Sequence, residues 1–398
     1  MRYTTRIIVP PRVRRSGAPG SPGAGPRPQA IGVRKSLGFG DTLGLAGPGH
    51  VAVAAAHPEF APFFAQASPQ DFAASGRTLA ESLATATRAV GGGRFRQPWG
   101  ADADGLHTPQ DVDDAAAAGF TYYTIDLSAH VHEDASALSP TELASTVDRM
   151  VSEGELPEDW AAPYLDREVA VLDGGALKLT SEPLQRAAVR LGRAVQHGAR
   201  MYETVARANR GRPYEIEISL NAAAAPSGVV EHLYLGLELE ARGVRLTSLA
   251  IRPAGGDEPA AFEAALREHV AVASFCGPYK LGFRGEHYDP ALFPVIGRCC
   301  GDLLHFKTSS ESFLEALRLA WRVEPGLLRQ VAGFPPTNDL EADFIDHPAR
   351  AGTLTTACAA LTTPGQDAFR ALLEQHADMY QELLVARFER LLHDLNAG

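Results

Sequence analysis

The sequence contains little that would mark a disulfide-stapled, membrane-spanning or nucleotide-binding protein. It has 4 Cys among 398 residues, and none of them forms a CxxC pair. Neither a zinc ribbon nor a disulfide framework is indicated, so we expect a reducing, cytoplasmic location. No apolar run reaches the length that crosses a bilayer, and we expect no membrane partner. Neither a Walker loop nor a GxGxxG fingerprint occurs.

Positive charge is also scarce. The chain has 37 Lys and Arg against 48 Asp and Glu, a formal net charge of -11, which disfavours a general nucleic-acid partner. The exception is residues 1–30, where arginines lie among prolines and glycines. This segment cannot bury much apolar surface, and we predict a disordered basic tail.

A regular alternation of strand-like and helical stretches occupies most of the chain. Roughly eight strand candidates lie between Leu37 and Lys307, nearly all followed by helices. This pattern predicts an α/β fold of the (β/α)8 TIM-barrel type. A doubly wound sheet is the alternative, but no dinucleotide fingerprint appears and polar residues follow almost every strand.

The barrel domain is predicted over residues 31–330, with a helical insertion at about 135–210. Residues 331–398 are predicted to form a C-terminal extension. The stretch from Gln366 to Leu395 has the pattern of one long amphipathic helix, which we expect to pack outside the barrel.

The most informative stretch is a single β-loop-α-β unit. Phe95 to Trp99 is strand-like, and Asp102 and Asp104 are placed in the loop after it. Thr108 then begins a helix with a capping-box pattern. Phe120 to Leu127, rich in β-branched and aromatic residues, predicts the next buried strand.

In a barrel of this type the functional site forms at the carboxyl ends of the strands. Carboxylates and imidazoles there suit a divalent metal or proton transfer, whereas arginine and lysine suit an anionic group on a substrate. The polar residues at the predicted strand ends are Asp41, Gln66, Asp102, Asp104, Asp126, His130, Glu217, Arg252, Arg284, His287, His305 and Lys307.

Several of these residues have a purely structural interpretation. Asp102 and Asp104 could form a turn or cap a helix. Glu217 could face the helical shell instead of the barrel interior. His305 lies between apolar neighbours and would ordinarily be a core histidine, although Lys307 shares its side of the strand.

Blocks at successive strand ends resemble the tagaturonate/fructuronate epimerase family, whose members interconvert two hexulosonates. The blocks are KSLGFGDTLGLAGPGH, FFAQAS with SGRT, PWGADADGLHTPQDVDDAAAAGFTYYTIDLSAHV, GPYKLGF and LLHFKTSSESFLEALR. The likeness extends from about Leu37 to Leu395. It implies a barrel fold, a small sugar-acid substrate and a divalent metal, one of Zn, Mn, Ni or Co. Whether the chain forms a homo-oligomer is left open.

For an enzyme of this kind, a metal that bridges the carbonyl and hydroxyl oxygens would stabilise an enediolate or a retro-aldol intermediate. The candidates for catalysis are Asp126, Glu217 and Lys307. The candidates for metal ligation are His305, His287 and Glu217. The candidates for substrate binding are Asp41, Gln66, Asp102, Asp104, Arg252 and Arg284.

The chain also departs from the family pattern. Asn221 and Ala222 stand where the family has an acidic pair, Arg284 where it has a histidine, and Ala129 where it has an acidic residue. Glu286 or His287 could replace one lost ligand. Loss of several ligands favours the alternative of a non-epimerising sugar-acid binder or pseudoenzyme, from which the metal has been lost.

Overall fold

Eight parallel strands close into a barrel in the computed structural model of this chain, which describes residues 26–69, 76–165, 168–171, 175–327 and 365–397. The barrel strands are β1 (Ser36–Gly40), β2 (Ala61–Ala67), β3 (Gly100–Leu106), β4 (Tyr122–Asp126), β7 (Glu215–Ser219), β8 (Ser248–Ala250), β9 (Lys280–Arg284) and β10 (Leu304–Thr308). Their spatial order is β1, β10, β9, β8, β7, β4, β3, β2, and β2 pairs with β1. The prediction of a (β/α)8 barrel is confirmed.

Helices connect the strands, and a small antiparallel hairpin of β5 (Glu168–Val171) and β6 (Gly175–Lys178) lies outside the barrel sheet. The helices are α1 (Gly47–Ala56), α2 (Leu79–Gly92), α3 (Pro109–Ala118), α4 (Pro140–Ser152), α5 (Ser181–Ala208), α6 (Val229–Ala241), α7 (Pro259–Cys276), α8 (Phe293–Cys300), α9 (Glu311–Val323), α10 (Gly365–Gln375) and α11 (Ala377–Asn396). Within the described ranges, none of these helices combines the length and apolar character needed to cross a membrane.

Local capping explains why the predicted helix after β3 forms where it does. The side chain of Thr108 accepts from the N–H of Asp111, whose carboxylate accepts from the N–H of Thr108. Gly119 ends the helix with φ 101°, a conformation that side chains disfavour. The predicted start of this helix at Thr108 is therefore confirmed.

The two-residue period of each strand separates an apolar layer from a polar interior. Outward residues such as Phe39, Ile216, Ile218 and Phe306 are buried in the core between the barrel and its helices. The inward positions of the same strands carry hydroxyls, carboxylates and ammonium groups. Bulky aliphatic residues usually fill such an interior, so its polarity here indicates a functional role.

The placement of Asp102 and Asp104 in a loop after a strand is wrong. The strand begins at Gly100, so both aspartates lie within β3 and face the barrel interior, where cations compensate them. Ala101 and Ala103 alternate with them on the outer face and are fully buried. Propensity alone disfavours such a strand, but tertiary ion pairing overrides it. The interpretation of these aspartates as turn formers or caps is also wrong.

The C-terminal segment packs outside the barrel, as predicted, but it forms two helices instead of one. α10 ends at Gln375 and α11 begins at Ala377. Phe388 of α11 packs on Phe39 of β1, with ring centroids 5.0 Å apart, and the Tyr380 hydroxyl donates to the Ser312 carbonyl at 2.8 Å. α1 packs against α11 as well.

The amino-terminal end of the barrel is covered by residues 26–32. The Trp99 indole N–H donates to the Pro26 carbonyl at 3.1 Å, and the Gln29 N–H donates to the Trp99 carbonyl at 2.8 Å. The N–H of Gly32 donates to the carboxylate of Glu215 inside this end. The greater part of the predicted disordered tail, residues 1–25, lies outside the described residues.

We predict that Gly297→Ala destabilises the protein by about 2 to 3 kcal/mol, because the added methyl would overpack the contact between α8 and the end of α11. A Cβ built at Gly297 would lie 1.8 Å from the Leu395 carbonyl oxygen. The control is Gly91→Ala in α2, where a Cβ meets nothing within 4 Å. That variant should gain up to about 1 kcal/mol from helix propensity. Urea unfolding of both variants checks the prediction, which equal midpoints would contradict.

Candidate active site

One buried ammonium group gathers the polar side chains of the barrel interior. Lys307, on the inner face of β10, is 1% exposed and lies among carboxylates that are 0–2% exposed. Its Nζ lies 2.6 Å from Glu217 Oε1, 2.7 Å from Thr124 Oγ1, 2.9 Å from Asp102 Oδ2 and 3.2 Å from Asp104 Oδ1. We call these five residues the lysine cluster. They come from four strands and are brought together by barrel closure alone.

The charges of the lysine cluster perturb one another in opposite directions. Burial opposes the charge of Lys307, but Asp102, Asp104 and Glu217 raise its pKa above the ordinary value. Burial opposes ionisation of Asp104 too, yet Arg284 and Lys307 lower its pKa to about 2. Burial dominates at Asp102 and raises its pKa to about 6. Asp102 can therefore exchange a proton near neutral pH.

Arg284 extends the cluster toward the barrel mouth. It follows Gly282 on the inner side of β9 and is the register partner of Lys307. Its guanidinium lies 2.5 Å from Asp104 Oδ2 and 3.6 Å from Glu286 Oε1, and its side chain is 19% exposed. Gln66 reaches the same aspartate, with Nε2 3.5 Å from Asp104 Oδ2. Arg284 is thus the cation of this interior that a ligand entering the mouth can touch.

A second polar layer lies deeper in the barrel. His305 Nδ1 is 2.8 Å from Ser36 Oγ, and Lys280 Nζ donates to the same oxygen at 2.9 Å. The ammonium of Lys280 also lies 5.4 Å from the centroid of the Phe63 ring and 5.5 Å from that of the Tyr122 ring. Burial and the neighbouring Lys280 hold the pKa of His305 well below its ordinary value. His305 is therefore neutral.

Glu217 faces the barrel interior, so its predicted alternative orientation toward the helical shell is wrong. Its Oε1 accepts from Thr124 Oγ1 at 3.2 Å and its Oε2 from the Tyr122 hydroxyl at 3.1 Å. The neighbouring position on β9 is a glycine because a Cβ at Gly282 would lie 2.6 Å from Glu217 Oε2.

The side chains of two predicted substrate-binding residues form hydrogen bonds with backbone groups of nearby loops. Asp41 accepts from the N–H groups of Gly44, Leu45 and Ala46 at 2.7, 3.1 and 3.1 Å, which fixes the turn before α1. Arg252 donates to the carbonyls of Ala223 and Ala224 in the loop after β7. The structure thus gives both residues a role in shaping loops.

Three further predicted residues lie nearer the mouth than the lysine cluster. Asp126 ends β4, on the same face as Thr124, and accepts from the Ser128 N–H at 2.8 Å. His287 is exposed just beyond β9. His130 stacks on His197 of α5, with ring centroids 3.9 Å apart, and so belongs to a separate contact.

Three interior residues, Tyr122, Thr124 and Lys280, are not among the predicted site residues. The period of two could have found them: Tyr122 and Thr124 alternate in step with Asp126, and Lys280 alternates in step with Arg284. This periodicity does not mark Tyr122 and Thr124 as site residues, because Tyr and Thr are common in strands of any function.

The interior does not fit a divalent metal. Within the described part of the chain, no group of three or more His, Cys, Asp or Glu residues is arranged to hold one. Of the three predicted ligands, Glu217 is bound to Lys307, His305 lies in the deeper layer, and His287 is exposed outside the barrel interior. Metal sites need several unpaired donors in one place, and here cations of the protein already bind the carboxylates.

Comparisons with known proteins agree on one family. The model of the tagaturonate epimerase (UxaE) family matches residues 26–343. A tagaturonate/fructuronate epimerase of Thermotoga maritima is 30% identical over 313 residues, which is 77% of this chain and 63% of that protein. The chain therefore spans less than two thirds of that relative's length.

Two crystal structures of the fructuronate-tagaturonate epimerase of Cohnella laeviribosi are also similar. The complex with two glycerols matches with a TM-score of 0.81 at 26% identity, over 94% of this chain and 83% of that one. The native structure matches with a TM-score of 0.77 at 27% identity, over 93% and 83%. The family resemblance of the sequence blocks is confirmed.

We predict that Lys307→Met destabilises the protein by about 3 to 5 kcal/mol at pH 7, because three buried carboxylates lose a shared counter-ion. Burial raises the pKa of Asp102, and the variant removes the cation that opposes this effect, so the deficit of the variant relative to wild type should shrink as Asp102 is protonated between pH 7 and pH 4. Denaturant unfolding at several pH values measures this.

The matched control is Lys35→Met, whose half-buried ammonium lies 4.2 Å from the centroid of the Phe60 ring. It should cost less than about 1 kcal/mol. If Lys307→Met is equally mild, the lysine cluster does not hold the barrel interior together.

Proposed function

This chain belongs to the tagaturonate epimerase family, and from that premise we propose that it interconverts D-tagaturonate and D-fructuronate or a related pair of hexulosonates. The family match over residues 26–343 and the retained strand-end blocks support this assignment. The alternative of a non-epimerising binder or pseudoenzyme has no comparison in its favour.

The observation that carries the proposal is the lysine cluster inside the barrel. A buried lysine in contact with three carboxylates is costly to desolvate and offers little net stability compared with an aliphatic interior. Such a group suits proton transfer and the stabilisation of developing negative charge. Its position, with the carboxyl strand ends just above it, is where barrel enzymes bind their substrates.

Substrate recognition in this proposal depends on the cations near the mouth. A sugar acid carries a carboxylate and several hydroxyls. Arg284 can bind the carboxylate or an oxyanion through two parallel N–H groups, which a lysine cannot do. Gln66 and Asp104 lie beside it, and Asp126 ends β4; all three side chains can hydrogen-bond hydroxyl groups.

Epimerisation inverts one hydroxyl-bearing carbon. D-tagaturonate and D-fructuronate differ at the carbon β to the ketone, so removal of a C–H proton next to the carbonyl cannot interconvert them, whereas a retro-aldol route conserves atoms and inverts that carbon. In the retro-aldol route a carboxylate removes a hydroxyl proton and a C–C bond breaks to give an aldehyde and an enolate. The enolate then attacks the other face of the rotated aldehyde, and the proton returns to the new alkoxide. Asp102, Glu217 and Asp126 are the proposed proton carriers, and the cations stabilise the oxyanion.

A cytoplasmic location is also proposed. Cys276, Cys299 and Cys300, the cysteines within the described segments, are free thiols, which suits a reducing compartment. The partner we propose is a small sugar acid, and assembly into a homo-oligomer stays a prediction.

The direct test is interconversion of D-tagaturonate and D-fructuronate, followed by chromatography of both ketoses in each direction. We expect turnover by the wild type and a loss of at least about a hundredfold in kcat for Glu217→Gln, since a general acid or base contributes about that much. The control is Glu263→Gln, a surface carboxylate paired with Arg298 at 2.6 Å. No interconversion with or without added Zn, Mn, Ni or Co would overturn the proposal.

We further predict that kcat falls as the pH drops below about 6. Burial raises the pKa of Asp102 to about 6. Below that pH its carboxylate is already protonated and can no longer accept a proton from the substrate. Asp102→Asn should lower kcat and abolish this acid limb of the profile.

Glu311→Gln is the control variant, because burial and the neighbouring Glu286 raise the pKa of Glu311 to about 7, close to that of Asp102. If the acid limb stays near pH 6 in Glu311→Gln, the limb is assigned to Asp102. A limb that persists unchanged in Asp102→Asn would contradict the prediction.

A further inference from the structure

The barrel interior contains its own positive charges where the resemblance to metal-dependent enzymes predicts a metal ion. Lys307 and Arg284 are register partners on neighbouring strands, and Asp104 lies between them. The shared aspartate holds two like charges side by side, with its oxygens 3.2 Å from the ammonium and 2.5 Å from the guanidinium.

The carboxylates near these two cations already form ion pairs with them. Asp102 and Glu217 contact Lys307 at 2.9 and 2.6 Å. Glu286 lies on the far side of Arg284 at 3.6 Å. A divalent ion would have to displace one of the two cations or lie beside it with no water to screen the repulsion between them. Both arrangements are unfavourable in a buried site, because like charges repel strongly where water is excluded.

Neutral donors do not complete a site either. His305 Nε2 has no hydrogen-bond partner among the described residues and lies 3.9 Å from Asp102 Oδ2, an oxygen that also contacts Lys307. Asn221, an amide, lies two residues beyond β7, and its N–H donates to Ser219 Oγ at 3.3 Å. Amide oxygens are weak ligands for the transition metals expected from the resemblance.

We propose that this chain binds its sugar acid without a divalent metal, and that the Arg284 guanidinium stabilises the substrate oxyanion in its place. Lys307 is enclosed by four acceptors and acts as a positioning residue that keeps Asp104 and Glu217 in place. Arg284, 19% exposed at the mouth, is the cation that contacts the ligand. This inference rests on the proposed function for the identity of the ligand.

A binding measurement tests this inference separately from the proposed function, because a ligand can bind without being turned over. Titration calorimetry with D-fructuronate in EDTA should show binding to wild type and a loss of about tenfold to a hundredfold in affinity for Arg284→Met. Arg298→Met is the control, because Arg298 pairs with Glu263 in the helical shell at 2.6 Å, and its loss should leave the affinity unchanged.

A gain of metal binding provides the second readout. Arg284→His removes the guanidinium from Asp104 and Glu286 and adds an imidazole beside them, which supplies three donors. Equilibrium dialysis against Zn followed by elemental analysis should find near-stoichiometric Zn in Arg284→His and little in wild type. A circular dichroism spectrum of each variant shows whether it has folded.

The outcomes are distinguishable. Ligand binding in EDTA that depends on Arg284 supports the inference, even if the interconversion assay fails and overturns the proposed reaction. Binding or turnover that appears only after a metal is added overturns the inference while supporting the proposed function. Stoichiometric Zn in wild type, or unchanged affinity in Arg284→Met, also overturns it.

Discussion

The contact of Lys307 with three buried carboxylates is the constraint on which the barrel interior depends. An ammonium group without partners would not remain charged at this depth, and without it the three carboxylates would lose the counter-ion that they share. Because Asp102 comes from β3, Glu217 from β7 and Lys307 from β10, the contact exists only when the barrel is closed. Closure and charge compensation therefore stabilise one another. The polar interior is a consequence of the fold and also a condition for it.

A polar interior of this kind contributes less to the stability of the fold than an aliphatic one, but it supplies groups that can transfer protons. Aliphatic side chains would fill the same space at lower desolvation cost, as they do in most barrels of this class. What the polar side chains add is a set of proton acceptors with different affinities. The pKa of Asp104 is lowered to about 2 by its two cations despite burial, whereas burial raises that of Asp102 to about 6. Two carboxylates on one strand can thus have separate roles.

The departures from the family pattern are easier to interpret in the structure than in the sequence. Read as single positions, Arg284 and Asn221 suggest a site that has lost its ligands. In the barrel, Arg284 is bound to Asp104 and lies beside Lys307, so the change introduces a charge that fits its surroundings. Because Asp104 and Glu286 compensate its charge, Arg284 fits the polar interior in which it lies.

The sequence by itself determined the alternation of strands and helices, the capped ends of α3 and the family of the chain, because these depend on local patterns and on residues close in sequence. It also identified Lys307, Glu217, Asp102 and Arg284 as polar residues near strand ends. It could not decide that β3 begins at Gly100, since a Gly-Ala-Asp repeat has low strand propensity, and the cations that compensate its aspartates, Lys307 and Arg284, come from distant strands. Nor could it separate Asp41, which fixes a turn, from Asp104, which binds two cations. Those distinctions depend on contacts between residues some two hundred positions apart, and only the closed barrel brings such residues together.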